Sequence, residues 1–72
     1  MLTDVELILA AVEASGLSAR RFAERVMSRD ERTIRRWSAG QVPIPPIARE
    51  RLVWFLGLSD FMRARLIVIL DG

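Results

Sequence analysis

The sequence predicts an all-α fold, a compact domain of four to five short helices. Three observations predict it. Apolar residues recur at the three- and four-residue spacing of a helix face, as in Val5, Ile8 and Val12 or Phe22, Ala23 and Val26. Most of these runs open on a threonine, serine, aspartate or proline, and three of them close on a glycine, the punctuation of short helices. Finally, 51% of the 72 residues are hydrophobic, enough for a single packed core and too many for a disordered chain.

The first helix is expected at 4–15. Thr3-Asp-Val-Glu6 forms a capping box, Val5, Ile8, Leu9 and Val12 make its inward face, and Gly16 is a left-handed terminator. Leu7 falls opposite, either singly exposed or in a contact. Ser18 caps a second helix, 19–26, with Phe22, Ala23 and Val26 inward and Arg20, Arg21, Glu24 and Arg25 outward. Arg20 and Glu24 can pair across one turn. Met27 tucks against the core at the start of a short connection. A third helix, about 30–39, is capped by Asp30 or by Ser28, since Ser28-x-x-Glu31 is also a capping box; Ile34 and Trp37 face inward and Gly40 ends it. Pro46 suits the first turn of a fourth helix, about 46–56, which Gly57 stops. Its LVWFL half is apolar on every side and reads as buried all round, Trp54 included, while Arg49 and Arg51 read as surface. Ser59 caps a last segment, Asp60–Leu70, whose LIVIL end suits a strand as well as the helix preferred here.

The composition excludes several functions. There is no cysteine and no histidine, so disulfides, the usual zinc ligands and the commonest acid–base pairs are missing, and no cofactor or metal is implied. With no glycine-rich phosphate loop and no carboxylate cluster, the chain does not read as an enzyme. The longest apolar runs, Leu7–Val12, Leu52–Leu56 and Leu66–Leu70, are far below the ~20 residues of a membrane span, and the acidic start MLTDVEL is not a secretory signal. The expected location is the cytoplasm.

Charge is unevenly spread. The net charge is only +2, yet residues 20–36 carry seven arginines against three acids, and residues 1–19 carry three acids and no base. All eleven basic residues are arginine, whose planar fork matches phosphate and guanine, although an arginine-rich codon bias explains the missing lysine equally well. Four of the eleven lie within RDERTIRRWSAG, residues 29–40. Two short helices, a connection of three or four residues, and arginines on the open face of the second describe a helix-turn-helix over about 18–40. With Ile34 and Trp37 inward, Arg32 and Arg36 point most directly outward, flanked by Arg29 and Arg35. Such a helix fits the major groove, where arginines can fork onto guanine. Glu31 either accepts from cytosine or pairs with Arg35, the pairing being preferred.

LSARRFAERV, ERTIRRWSAG and QVPIPP resemble the Cro/lambda-repressor-type (XRE-like) helix-turn-helix regulators of bacteria and phages, over about residues 3–57. The resemblance implies a lambda-repressor-like domain that regulates transcription by binding double-stranded DNA. By position it implies Glu31, Arg32, Thr33 and Arg36 as base readers, and phosphate contacts at Ser18, Ala19 and Arg20 and at Ser38, Gly40 and Gln41, with Arg29 and Arg35 beside them. Two departures stand out. Ala19 replaces a polar residue common there, so a side-chain clamp falls to Arg20. The turn Met27-Ser-Arg-Asp30 lacks the usual glycine and is one residue longer.

One such unit reads about half an operator, and two recognition helices about 34 Å apart require a dimer. Leu58, Phe61, Met62, Leu66, Ile69 and Leu70 exceed what a small core can cover, so a homodimer through 58–70 is expected; the competing account packs this segment back over helices one and four. Whole-chain partners are therefore double-stranded DNA and a second copy, with nucleoid association when bound and no membrane or small-molecule effector. The alternative function is a protein-interaction module, an adaptor, antirepressor or antitoxin-like partner that reads no DNA.

Overall fold

A computed structural model describes all residues, Met1–Gly72, and contains only helices: α1, Asp4–Ser15; α2, beginning as Ala19–Arg21 and continuing as a π-helical stretch, Phe22–Met27; α3, Glu31–Ser38; α4, Pro46–Gly57; and α5, Asp60–Asp71. The radius of gyration is 11.2 Å, against ~11 Å for a compact chain of this length, so the helices form one unit. The last segment is helical throughout, LIVIL included. No helix is long and apolar enough to cross a membrane.

Local chemistry starts each helix. The Thr3–Glu6 capping box closes reciprocally, at 2.9 and 3.2 Å. Ser18, Asp30 and Ser59 accept from the backbone N–H three residues on. Asp30 therefore caps α3 and the Ser28 box does not form; Ser28 is instead left-handed, with φ 55° and ψ 43°. The turn thus obtains its reversal without glycine. Just before it, the Ala23 carbonyl accepts from Ser28 N–H and, at 2.9 Å, from Arg29 N–H, so the last turn of α2 is wider than an α-turn.

α3 and α4 pack on α1, and a core of Leu7, Ile8, Ala11, Phe22, Ala23, Val26, Met27, Ile34, Trp37, Ile44, Ala48, Leu52 and Phe55 fills the interior. Phe22 and Phe55 meet edge to face, with centroids 5.8 Å apart.

Four expectations about packing are corrected. On α1 the inward residues are Leu7, Ile8, Ala11 and Ser15, while Leu9 is 52% exposed. The pattern is displaced by one residue, about 100° of helix rotation. Because α1 is apolar on most sides, its neighbours and not its sequence decide which side is covered. On α4 only Ala48, Leu52 and Phe55 are buried; Trp54 is 56% exposed and Val53 is open beside it, so LVWFL is not surrounded. Arg49 is no free surface charge. Its Nη1 donates to Asp4 at 2.7 Å and its Nη2 to the Leu2 carbonyl at 2.6 Å, while the other Asp4 oxygen accepts from Ile44 N–H, tying α1, the proline loop and α4 together. Glu31 makes no ion pair with Arg35, or with any other cation: the salt bridges lie elsewhere.

Candidate nucleic-acid interface

α3 is built as a cationic rod with one apolar side. Ile34 and Trp37, three apart, are 1% and 2% exposed, so the rotation of the helix about its axis is fixed by packing. That rotation leaves Arg32, Arg35 and Arg36 exposed, as the spacing requires. Glu31 and Thr33 are half-buried on the flanks.

Ion pairing sorts the arginines. Arg20 lies 3.7 Å from Glu24, Arg21 and Arg25 lie 3.5 and 3.8 Å from Asp71, and Arg49 and Arg63 hold Asp4 and Asp60. Arg29 covers the Trp37 ring at 5.4 Å, and Arg65 covers Phe61 at 5.7 Å. Arg32, Arg35, Arg36 and Arg51 alone form no ion pair and cover no aromatic ring, although the Arg32 charge is near enough to help lower the Asp30 carboxyl. Three of these four are on α3.

The other expected base reader, Thr33, is engaged locally. Both its N–H and its hydroxyl donate to one Asp30 carboxylate oxygen, at 2.9 and 3.1 Å. These two hydrogen bonds, the backbone one foremost, hold the Asp30 carboxyl below its ordinary range.

Of the expected phosphate contacts, Ser18 is exposed at the start of α2, its oxygen accepting from Arg21 N–H at 3.2 Å and its own proton free to donate. Arg20 is exposed but beside Glu24. Beyond α3, the N–H groups of Gly40 and Gln41 turn back to the carbonyls of Trp37 and Arg36, at 3.1 and 3.0 Å. What that loop offers outward is the side chains of Gln41 and of half-buried Ser38. Gly40 takes φ 71°, and a Cβ there would stand 3.3 Å from Val5, so a left-handed turn and a close approach to α1 both favour glycine.

The sequence reading did not place Arg51 at the site. It lines a shallow concavity with Arg29, Met27, Ile47 and Ala48, on the side where α2 ends and α4 begins. Nothing in the local pattern signals this, because Arg29 comes from the turn after α2 and Arg51 from α4, far apart in the chain.

The apolar segment divides. Phe61, Met62, Ile69 and Leu70 are exposed, whereas Leu58 and Leu66 are half-buried and Leu66 packs against the core. Val68, 71% exposed and seven residues beyond Phe61, belongs with the open set, as helical spacing could have shown. Phe61, Ala64, Arg65, Val68 and Ile69 line one open face of α5.

Compared with known proteins, the chain matches no family model, no curated protein and no solved structure. The resemblance to Cro/lambda-repressor-type regulators therefore rests on its residues alone.

Proposed function

We propose that this chain is a sequence-specific double-stranded DNA-binding regulator of transcription, in the manner of Cro/lambda-repressor-type proteins, with α3 as the helix that enters the major groove. One observation carries the reading. α3 is locked by two buried side chains and presents three arginines that no carboxylate or aromatic ring holds. A solvated surface helix gains nothing from leaving so many cations unpaired; a helix facing a polyanion does.

In this reading Arg32 and Arg36 meet base edges with Glu31 beside them, Thr33 is held back by its hydrogen bonds to Asp30, and Ser18, Arg20, Arg29, Arg35, Ser38, Gly40 and Gln41 approach the backbone. A second copy docks through the open face of α5, around Phe61, Met62, Ile69 and Leu70, and places two α3 helices on one side of a duplex. The protein acts in the cytoplasm, at the nucleoid.

The exposed Trp54, Val53 and Phe61 favour a second reading, a protein-interaction module. Replacing Arg32 and Arg36 together by alanine separates the two. On a duplex enriched from a random pool, affinity drops at least a hundredfold while the melting curve is unchanged; unaltered binding and unaltered regulation in cells support the interaction module instead.

A further inference from the structure

The α3 surface also narrows what sequence is read, an inference that rests on the DNA-binding proposal. We infer that the half-site contains two guanines, one or two base-pair steps apart, one held by Arg32 and the other by Arg36.

Guanidinium only donates, and it offers two parallel N–H groups. In the major groove, guanine alone sets two acceptors, N7 and O6, side by side. Adenine replaces O6 with a donor amino group, thymine pairs one acceptor with a methyl, and cytosine presents a donor. A free arginine pointing squarely into the groove therefore has one matched base.

The structure selects which arginines these are. Arg32 lies opposite the buried Ile34 and Trp37, at the middle of the open face. Arg36 follows it by one turn, on the same stripe. The residues three and four positions from Arg36 are Thr33, Arg32, Ala39 and Gly40, none of them acidic. Arg35 differs, because Glu31 sits one turn before it, within reach of a side chain that swings toward a phosphate. Thr33 gives its hydroxyl proton to Asp30 and so is drawn away from the bases.

Spacing follows from helix geometry. Four residues rise ~6 Å along the axis, and successive bases on a strand stand ~3.4 Å apart. The two guanidinium groups thus meet bases one or two steps apart. Because packing fixes the rotation of α3, that spacing exists before DNA arrives.

The test starts with the full chain and duplexes enriched from a random pool. Each guanine of the enriched half-site is then replaced by 7-deazaguanine, which lacks the N7 acceptor. Two guanines at the stated spacing are expected, and substitution at either weakens binding about 5- to 150-fold. Arg32→Ala abolishes the penalty at one guanine and Arg36→Ala at the other, whereas Arg35→Ala weakens all sequences alike; circular dichroism melts verify that each variant folds. An enriched half-site without guanine, or one indifferent to the deaza base, overturns this inference and leaves DNA binding standing. Salt-sensitive binding with no enriched sequence overturns the inference and sequence-specific reading together. Absence of any duplex binding at low salt overturns both this inference and the proposed function.

Discussion

Helix α3 is eight residues long and sinks Ile34 and Trp37 into the core, whereas α5 is twelve residues long and buries no residue fully. The uncovered face of α3 is cationic and that of α5 apolar. Their attachments are opposite too. α3 is fixed by hydrophobic packing. α5 hangs on half-buried Leu66 and Ile67, on Asp71 between Arg21 and Arg25, and on Arg63. Arg63 reaches back to the end of α4, where Nε donates to the Phe55 carbonyl at 3.2 Å and Nη2 donates to those of Leu56 and Leu58 at 2.9 and 2.7 Å. The difference teaches which surface is preorganised. A polar face on a helix pinned by its own core side chains keeps its geometry when nothing is bound. The apolar face of α5 belongs to a helix held by half-buried side chains, two ion pairs at its end and the Arg63 hydrogen bonds, with no side chain sunk fully into the core.

The contrast breaks most sharply at the two tryptophans. Trp37→Ala should cost about 3–5 kcal/mol, since it empties a buried site, and a domain of this length has only about 4–11 kcal/mol in total. Trp54→Ala should cost under about 1 kcal/mol in the monomer, because more than half of that side chain is already in water. Urea unfolding of the two variants is the comparison to make. Equal losses would mean that Trp54 is as deeply packed as Trp37.

The attachment of α5 is sharpened by Arg63→Met, which keeps an unbranched apolar stem and removes the donors together with the guanidinium that stands 5.7 Å from the Phe55 ring centroid. The carbonyls at the end of α4 then lose their charge-assisted bonds, and stability falls by about 2 kcal/mol. Amide exchange localises the effect: α5 opens while α3 stays protected. Uniform loss of protection would contradict the separate attachment described above.

At the start of α3 the comparison becomes one of pH. The Thr33 hydrogen bonds depress the Asp30 carboxyl, and those of Thr3 depress Glu6. Both groups bind protons more weakly in the folded chain than in the unfolded one. Their contribution is complete above the ordinary carboxylate values and disappears as pH falls through the lower folded values. An NMR titration should find the Thr33 amide moving with a midpoint below 3.8, the ordinary aspartate value. Asp30→Asn, which caps without titrating, abolishes that step. The Met62 amide, held by the Ser59 hydroxyl at 3.2 Å, gives no such step in either protein.

The same contrast explains what could be read from sequence. α3 is charged on one side and apolar on the other, so its inward residues, Ile34 and Trp37, followed from spacing alone. Most of α1 and the LVWFL half of α4 are apolar nearly all round. Those patterns have no direction, so spacing puts Leu9 and Trp54 inside, whereas the neighbouring helices cover Leu7 and Phe55 and leave Leu9 and Trp54 open. Asp4 and Arg49 stand 45 positions apart, and no local rule pairs them. Helix starts were legible because a cap acts over three residues. The exception, Ser28, is legible as a cap but serves as the turn: Asp30 caps α3 by accepting from Thr33 N–H, and Ser28 takes the left-handed conformation of the reversal.

Ser28 supplies the smallest effect. A left-handed conformation costs a residue with a Cβ about 1–2 kcal/mol, and glycine escapes it. Glycine also loses more chain entropy on folding, which cancels part of the gain. Ser28→Gly should therefore stabilise the domain by about 0.5–1 kcal/mol, and Ser28→Val should destabilise it, because β-branching disfavours φ 55° further. Thermal melts of the three proteins test the order glycine, serine, valine. If the glycine variant is instead less stable, the turn between α2 and α3 is held by the wide Ala23 carbonyl bonds so firmly that backbone preference at 28 no longer matters. The spacing of the two helices would then be set by the π-helical stretch, not by the turn residue.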